Sequence, residues 1–418
     1  GHPFQVQLSR ALARRGHRVL HLYSASTPTT PKGGLRRVPG DSDLLRIEGL
    51  RLPRPIDKRA FIERRYLEKA YGRRLACVIR RERPEAAILA NTPLDALQVA
   101  QRALRELRVP WIFWLQDLIG EASVRILSGR VPLVGRLVGN YYRMLERRIL
   151  RNSDAVVGIT EDFRPLVTGA GVEESRYLTI PNWAPIEEIE PRPKDNPWAR
   201  AQGIHDRFVF LYSGTLGFKH NPGLLLELAR QYRGDPKVSV VVNSEGHAAN
   251  WLVEQARSAG LSNLIVNPYQ PYETISDVLG SADVLVCILE PEAGVFSVPS
   301  KVLSYHCAGR ALLLAVPETN LSARIVLGAR SGLVVDPRDV GNFCRAASSL
   351  REDDSARLAM GRRARAYAER NFDIETITDR FEGLLYGMLR GERRESGEGR
   401  YLEDGRGMID VRWRGVGA

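Results

Sequence analysis

The chain has 418 residues, of which 44% are hydrophobic and 26% charged, and its formal net charge is +12. This composition excludes a low-complexity or collagen-like protein, and the length exceeds what one hydrophobic core usually supports, so we expect two domains. The positive charge indicates an anionic partner, such as nucleic acid, anionic lipid or a phosphorylated small molecule. No run approaches the roughly 18 to 20 apolar residues that cross a bilayer, which argues against an integral membrane protein.

The four cysteines are far apart and form no C-x-x-C pair: Cys77, Cys287, Cys307 and Cys344. We expect them to be buried small hydrophobic residues in a reducing compartment, which indicates a cytoplasmic protein. Neither the cysteines nor the scattered histidines suggest a metal site.

The first half of the chain alternates helices and short apolar strands. Phe4, Leu8 and Leu12 repeat on one face of a helix that Gly16 ends, and a strand follows at 17–23. Further strands are predicted at 86–90, 111–115 and 154–159, with helices at about 57–82, 93–107 and 132–152. Because a doubly wound fold usually begins with a central strand, we expect the first strand of this domain to be missing from the sequence.

The second half repeats this alternation after a segment rich in proline and charge. Strands are predicted at 208–214, 238–242, 264–266, 283–289 and 311–315, and the last helices near 354–370 and 374–389. The predicted organisation is a domain at 1–185, a linker at 186–205, a second domain at 206–372, a helix at 373–390 that returns toward the first domain, and a disordered tail at 391–418. Both domains are expected to be α/β, with doubly wound parallel sheets.

A glycine-containing loop follows the first strand of the second domain. Gly214, Thr215 and Gly217 would bring backbone N–H groups close to a phosphate, and Lys219 would supply a cation for the β-phosphate. An ordinary tight turn explains the same residues equally well. The loop is neither a Walker A sequence nor G-x-G-x-x-G, so an ATPase or a nicotinamide enzyme is less favoured.

A second loop follows the 283–289 strand and leads into a short helix that Gly309 ends. Val298, Pro299 and Ser300 precede Lys301, and Ser300 or Pro299 would start the helix. A capped helix without a ligand is the alternative. Both loops follow strands of one domain, and the carboxyl ends of parallel strands form the crevice where ligands bind. We also place Tyr269 and Gln270, which follow the 264–266 strand, among the candidate donor-binding residues.

Two further features lie in the first domain. Asp117 follows the 111–115 strand and could orient an acceptor hydroxyl, or be a loop or helix-capping aspartate. The segment from Arg125 to Arg151 mixes apolar residues with seven arginines. It suits either an anionic membrane surface or a core-facing helix with a solvated basic face.

The sequence resembles retaining glycosyltransferases of family 4, in particular the bacterial enzymes that make O-antigen, colanic acid and capsule polysaccharides. The similar segments span residues 1 to 390 and are Gly1-His2, 12–19, 115–117, 180–183, 212–217, 281–284, 299–305 and 308–310. The resemblance implies a GT-B fold, in which two Rossmann-like domains face a central cleft. It also implies that Gly1 faces the donor phosphates. One departure is that two glutamates typical of the family are replaced by Phe296 and Ser304.

The implied reaction is transfer of a sugar from a nucleotide sugar, UDP-linked by resemblance, to a saccharide or lipid-linked saccharide on the inner membrane face. Lys219, Lys301 and backbone N–H groups would stabilise the leaving diphosphate, with no metal and no other cofactor. The alternatives are a GT-B epimerase or phosphorylase, a non-catalytic scaffold, and a basic nucleic-acid-binding protein. The last is disfavoured because no helix-turn-helix, zinc-finger or RNP pattern is present, so we expect no nucleic-acid partner.

Overall fold

The structure is a computed structural model that describes residues 4–26, 35–54, 61–130, 132–217, 220–291, 298–391, 393–394 and 413–414. These residues divide into two units. The carboxy-terminal unit consists of Asn182–Asp373 with Phe4. The amino-terminal unit consists of the described residues of Gln5–Pro28 and Gly34–Pro181, together with those that follow from Ile374.

The amino-terminal unit alternates helices and strands along most of its length. Its elements before residue 182 are α1 (Phe4–Arg14), β1 (Val19–Ser24), β2 (Leu45–Leu50), α2 (Phe61–Glu82), β3 (Ala87–Ala90), α3 (Leu94–Glu106), β4 (Trp111–Leu115), α4 (Ile119–Arg130), α5 (Pro132–Asn152), β5 (Ala155–Gly158), α6 (Arg164–Gly169) and β6 (Tyr177–Thr179). Strands β3, β4, β5 and β6 form one parallel sheet in that order, and β1 pairs with β2 in a separate parallel sheet. Every residue of β4 and β5 is buried, as expected for parallel strands covered on both faces.

The carboxy-terminal unit has one larger sheet. Its elements, followed by the last elements of the chain, are α7 (Pro197–Ala201), β7 (Phe208–Ser213), α8 (Gly223–Gln231), β8 (Val238–Asn243), α9 (His247–Ser258), β9 (Leu264–Asn267), α10 (Ile275–Gly280), β10 (Val284–Ile288), α11 (Lys301–Ala308), β11 (Ala311–Ala315), α12 (Leu321–Ala329), β12 (Gly332–Val335), α13 (Val340–Glu352), α14 (Asp354–Asn371), α15 (Ile374–Leu389), β13 (Arg393–Arg394) and β14 (Trp413–Arg414). Its six strands are parallel in the order β12-β11-β10-β7-β8-β9.

This strand order reverses between β7 and β10. The chain first moves outward from β7 through β8 to β9, and then from β10 through β11 to β12 on the other side. Such a reversal opens a crevice at the carboxyl ends of the two central strands, which is where ligands bind in open α/β sheets. The prediction of two Rossmann-like parallel-sheet units is therefore confirmed.

The segment 186–205, which the sequence predicts to be a linker, is folded onto the carboxy-terminal unit. It contains α7, and Trp198, Ala199 and Ile204 are buried. The Lys194 ammonium pairs with the Asp283 carboxylate beside β10. The apolar residues of this segment are too few to show a pattern in the sequence, yet each of these three is covered by the unit.

Helix α15 belongs to the amino-terminal unit although it follows the carboxy-terminal one in sequence. The ring of Phe381 lies 4.8 Å from that of Trp114, measured between centroids. The Arg15 guanidinium forms ion pairs with Glu375, Asp379 and Glu382. The helix is thus held by a buried face that includes Phe381 and by a charge cluster.

Two further expectations differ from the structure or lie outside it. Cys287 and Cys307 are buried and Cys344 is partly buried, but Cys77 is exposed, so the expectation of buried cysteines is wrong for that residue. Of the predicted disordered tail, the structure describes Gly391 and the short antiparallel pair of β13 with β14; the rest lies outside the described residues. Among the described helices, none has the length and apolarity that a membrane span requires.

Candidate functional site

The candidate site begins at the carboxyl end of β7. Gly214 follows the strand with a φ of +124°, a conformation that side-chain-bearing residues rarely adopt. Its N–H donates to the carbonyl of Asn243 at the end of β8, at 3.0 Å. The Tyr212 hydroxyl donates to the Thr215 carbonyl at 2.7 Å. These two bonds fix the loop over the strand ends.

Lys301 brings the second loop to the first. It is the first residue of α11, and its Nζ lies 3.4 Å from the Thr215 carbonyl and 3.4 Å from the centroid of the Tyr212 ring. A Cβ atom on Gly214 would lie 3.4 Å from Lys301 Cε. The structure therefore places Gly214, Thr215 and Lys301 together at the strand reversal. An ammonium over an aromatic face keeps a positive charge there with little hydration.

Tyr305 anchors α11 to the strand ends, one turn after Lys301. Its buried hydroxyl accepts the N–H of Ser213 at 3.0 Å, and it lies 3.2 Å from the Ser213 carbonyl and 3.3 Å from the Val286 carbonyl, to one of which it donates. Burial raises the pKa of this phenol well above its usual range, so it stays protonated and keeps both roles. It positions Lys301 relative to both β7 and β10.

The start of α11 differs from the sequence-based expectation. Ser300 has helical backbone angles, and its side chain makes no capping hydrogen bond. The N–H groups of Val302 and Leu303 already donate to the Pro299 and Ser300 carbonyls. Fewer N–H groups are thus available to an anion at this helix start than the sequence suggested. Gly309 ends the helix in the left-handed conformation, with a φ of +65°, as predicted.

The other predicted donor residues have varied surroundings. The N–H of Gly217 donates to His220 Nδ1 at 3.0 Å, which closes the turn after β7. Val298 and Pro299 are half-buried just before α11. Three residues singled out from the sequence lie outside the described residues: Gly1, Lys219 and Phe296.

Tyr269 and Gln270 follow β9, which is two strands away from β7. The Tyr269 N–H donates to the Glu245 carboxylate at 3.0 Å. The side-chain Oε1 of Gln270 accepts a hydrogen bond from Trp198 Nε1 at 2.9 Å, and its side-chain Nε2 donates to the backbone carbonyl of Pro268. The Gln270 side chain is thus engaged within the protein. The Tyr269 phenol lies near that of Tyr212, the ring that Lys301 covers, and is one of the groups that raise the Tyr212 pKa.

Asp117 lies in the amino-terminal unit, exposed in the loop between β4 and α4. The buried Glu146 of α5 accepts the N–H of Gly120 at 3.1 Å and so holds the start of α4 beside this loop. Burial raises the pKa of Glu146 to about 7, and the nearby charges of Glu121 and Asp117 add to the shift. Sequence reasoning missed this residue, because the groups that surround it are distant along the chain.

His306 has no accessible role in proton transfer. It is buried, its Nδ1 lies 2.7 Å from the Val302 carbonyl, and its Nε2 lies 3.0 Å from Ser331 Oγ. Nδ1 therefore carries the proton and Nε2 accepts from the serine. Burial lowers the pKa of His306 to about 4, so the ring is neutral and serves the packing of α11.

Comparison with known families assigns the chain. Residues 2–183 match the family described as glycosyl transferase 4-like domain, and residues 195–367 match the glycosyl transferases group 1 family. The chain belongs to glycosyltransferase family 4. Both units are covered by these matches, so this glycosyltransferase carries the family's two characteristic domains.

Individual relatives of the glycosyltransferase are distant. The putative colanic acid biosynthesis glycosyl transferase WcaI of Escherichia coli is 25% identical over 278 residues, which is 65% of this chain and 66% of the relative. Glycogen synthase of Mycobacterium tuberculosis is 24% identical over 186 residues, which is 44% of this chain and 43% of the relative. The alignments therefore span less than two thirds of each relative's length.

Solved structures show the same GT-B fold. Sucrose-phosphate synthase of Thermosynechococcus elongatus has a TM-score of 0.71 and 16% identity, and the match covers 92% of each chain. HepE of Anabaena, solved in complex with UDP and glucose, has a TM-score of 0.67 and 14% identity, over 93% of this chain and 97% of HepE. At these identities the likeness concerns the fold alone.

Proposed function

We propose that this glycosyltransferase transfers a sugar from a UDP-linked donor to a saccharide or lipid-linked saccharide in the synthesis of a cell-surface polysaccharide. The reaction retains the anomeric configuration and uses no metal ion. The enzyme works in the cytoplasm, peripherally at the inner face of the membrane. The observation that carries the donor site is the position of Lys301 beside the Gly214–Thr215 loop, at the strand reversal of the carboxy-terminal unit.

The diphosphate of the donor fits this position by charge. An ammonium about 4 Å from one phosphate charge contributes on the order of 4 kcal/mol at the effective dielectric of a protein surface. The glycine after β7 leaves room for a phosphate to approach the backbone. We propose Lys219 as a second cation and Gly1 as a further neighbour of the phosphates, as the family resemblance implies.

Catalysis in this proposal is electrostatic. When the glycosidic bond breaks, negative charge grows on the leaving diphosphate, and Lys301 stabilises it more strongly in the transition state than in the bound donor. Among the residues that the structure describes, no three His, Cys, Asp or Glu side chains are grouped to hold a metal.

Two comparisons support the choice of substrates. HepE was solved with UDP and glucose, which favours uridine as the base of the donor here. WcaI is named for colanic acid biosynthesis, which favours a saccharide acceptor for a surface polymer. Asp117 lies exposed after β4, and we propose that its carboxylate orients the acceptor hydroxyl.

The direct test is a transfer assay with UDP-, GDP- and ADP-sugars, membrane extract as the source of acceptor, and the Lys301→Ala variant. Loss of this one cation should lower turnover on the order of 10²-fold. Lys237→Ala is the matched control, because Lys237 is an exposed lysine that precedes β8 at the opposite edge of the same sheet. Turnover of Lys301→Ala within twofold of Lys237→Ala would refute the donor site. Recovery of an isomerised nucleotide sugar without transfer would instead indicate an epimerase.

A further inference from the structure

The exposed surface of α5 has an unusual composition for a helix of a globular unit. Nine of its residues are exposed in the described part of the chain. Four are apolar and four are arginines: Leu133, Val134, Leu137 and Met144, and Arg136, Arg147, Arg148 and Arg151; the ninth is Asn152. We call these nine residues the outer face. The outer face carries no acidic side chain.

The apolar residues of the outer face form one stripe. Leu133, Leu137 and Met144 are 82%, 73% and 70% exposed. Successive helical residues are about 100° apart, so these three and Arg148 lie within an arc of about 60°. Large side chains that are this exposed and this close together usually mark an interaction surface.

The opposite side of α5 is committed to α4. A Cβ atom on Gly135 would lie 2.0 Å from the Leu127 carbonyl oxygen, and one on Gly139 would lie 2.6 Å from Val124 Cα. The two helices are antiparallel and in backbone contact at these glycines. The stripe therefore cannot be the side by which α5 joins its own unit.

A cavity of about 360 Å³ adjoins the C-terminal end of the outer face. It is lined by four arginines, two from the last turns of α3, one from the loop before β4 and one from α5: Arg102, Arg105, Arg108 and Arg148. We call it the arginine cavity. Its acidic lining residue, Asp154, already accepts the Trp111 N–H at 2.9 Å. Within the described residues, none of the four arginines has an ion-pair partner.

This arrangement is suited to a phosphate monoanion or diester. Guanidinium groups bind phosphate oxygens in pairs and are weakly hydrated, so several of them around one cavity can contact the oxygens of a single phosphate at once. The cavity lies at the amino-terminal edge of the β3–β6 sheet, because Trp111 begins β4 and Asp154 directly precedes β5. It is thus distinct from the edge where Asp117 lies.

The N-terminal half of α5 extends beyond the carboxyl edge of the β3–β6 sheet, where Asp117 lies. A Cβ atom on Gly120, five residues after β4 ends, would lie 2.8 Å from Arg143 Cα. Because a helix rises about 1.5 Å per residue, Leu133 lies about 15 Å further out. The apolar stripe therefore extends from the arginine cavity to the side of the sheet on which an acceptor would meet Asp117.

We propose that the outer face of α5 and the arginine cavity form one docking surface for an anionic phospholipid membrane. The cavity takes the phosphate of a lipid headgroup, and Leu133, Leu137 and Met144 enter the boundary between headgroups and acyl chains. A nucleic acid would satisfy the arginines but would offer no partner to three exposed apolar side chains. This inference depends on the proposed function for one point only: the reason for docking, which is access to a lipid-linked acceptor.

The experiment is co-sedimentation of the full chain with vesicles of phosphatidylcholine alone and of phosphatidylcholine with an equal amount of phosphatidylglycerol. Two triple variants test the two parts of the surface, and two control variants change exposed residues of the same kinds elsewhere. The variants are Leu133→Gln/Leu137→Gln/Met144→Gln and Arg102→Gln/Arg105→Gln/Arg148→Gln, and the controls are Leu358→Gln on α14 and Arg73→Gln/Arg74→Gln on α2.

We expect the chain to bind only the anionic vesicles, and each lost arginine to weaken partition about fivefold, so that the arginine triple variant binds roughly 100-fold more weakly. The apolar triple variant should also lose binding, while both controls retain it. Equal partition of the arginine triple and its control would overturn the proposal. Binding of duplex DNA or of free glycerol phosphate, without binding to vesicles, would also overturn the proposal.

UDP binding, measured by thermal shift in the same variants, separates this inference from the proposed function. Unchanged UDP binding with lost vesicle binding supports the docking surface and leaves the donor site intact. A chain that binds vesicles through this surface but binds no nucleotide would refute the donor site and leave the docking surface standing.

Discussion

Glu146 makes a specific prediction about pH. Its side chain is 3% exposed, and burial raises the pKa of the carboxyl from 4.5 to about 7. In the unfolded chain the group loses its proton near pH 4.5, whereas the folded unit keeps it until about pH 7. The folded state therefore binds more protons between these values, and stability falls as the pH rises through this window.

The magnitude follows from the size of the shift. One pKa unit is worth about 1.4 kcal/mol, so this group destabilises the amino-terminal unit by about 2.5 kcal/mol more at pH 8 than at pH 5. Glu146→Gln keeps an oxygen that can accept the Gly120 N–H but does not ionise. The stability of the variant relative to that of the wild type should therefore increase as the pH rises. For a unit of this size, the gain corresponds to roughly 5 to 10 °C in melting temperature.

Differential scanning calorimetry at pH 5 and pH 8 provides the measurement. The quantity to compare is the change in melting temperature between the two pH values, in Glu146→Gln and in the wild type. Glu173→Gln, an exposed carboxyl of the same unit, controls for the loss of one negative charge. An identical change in Glu146→Gln and wild type would show that the buried carboxyl is not held protonated, and the reasoning would fail.

Three further predictions concern the loop and helix contacts. Gly214→Ala forces a side chain into a φ of +124°, which costs about 1 to 3 kcal/mol, and should weaken UDP binding in a titration because the loop beside Lys301 must shift. Tyr305→Phe leaves the Ser213 N–H without its acceptor, so the unit should lose about 1 to 3 kcal/mol in urea unfolding. Gly139→Ala places a methyl group 2.6 Å from a backbone atom of α4 and should destabilise the amino-terminal unit by about 1 to 3 kcal/mol in the same measurement.

Matched glycines provide the controls for these changes. Gly217→Ala alters the same loop at a residue whose Cβ would lie no closer than 4.0 Å to the other atoms that the structure describes. Because the Gly217 N–H already donates to His220, this variant should bind UDP as the wild type does. Gly383→Ala on α15 would place a methyl group more than 4 Å from the other described atoms, and it should stabilise the chain by up to about 1 kcal/mol, as alanine does in a helix. If Gly139→Ala were also stabilising, the close contact of α4 and α5 would be contradicted.

The elements that the sequence predicted well are those with strong local patterns. Strands β4, β7, β10 and β11 are continuous apolar runs because both faces of a parallel sheet are covered. Strand β2 was not predicted, since Leu45–Leu50 carries charged residues and glycine and, among the described strands, pairs with β1 alone. The basic segment from Arg125 to Arg151 proved to be parts of two helices, and Pro132 begins the second.

The candidate site was predictable in part. That loops after β7 and β10 share one edge follows from the topology of parallel sheets, and Lys301 indeed lies beside Gly214. The contact of Lys301 with the Tyr212 ring, and the bonds of Tyr305 to Ser213, depend on which two strands are neighbours. Strand order is set by packing of the whole unit, and it cannot be predicted from the spacing of residues along the chain.

The contacts of α15 have a consequence for biosynthesis. The amino-terminal unit is discontinuous, because Phe381 covers Trp114 and Glu382 pairs with Arg15, while the whole carboxy-terminal unit is translated in between. During translation, nearly 200 residues of the carboxy-terminal unit are synthesised before the last helix of the amino-terminal unit leaves the ribosome. Until then the side of Trp114 that Phe381 covers is exposed, and transiently exposed apolar surface of this kind makes a partly folded chain prone to aggregation.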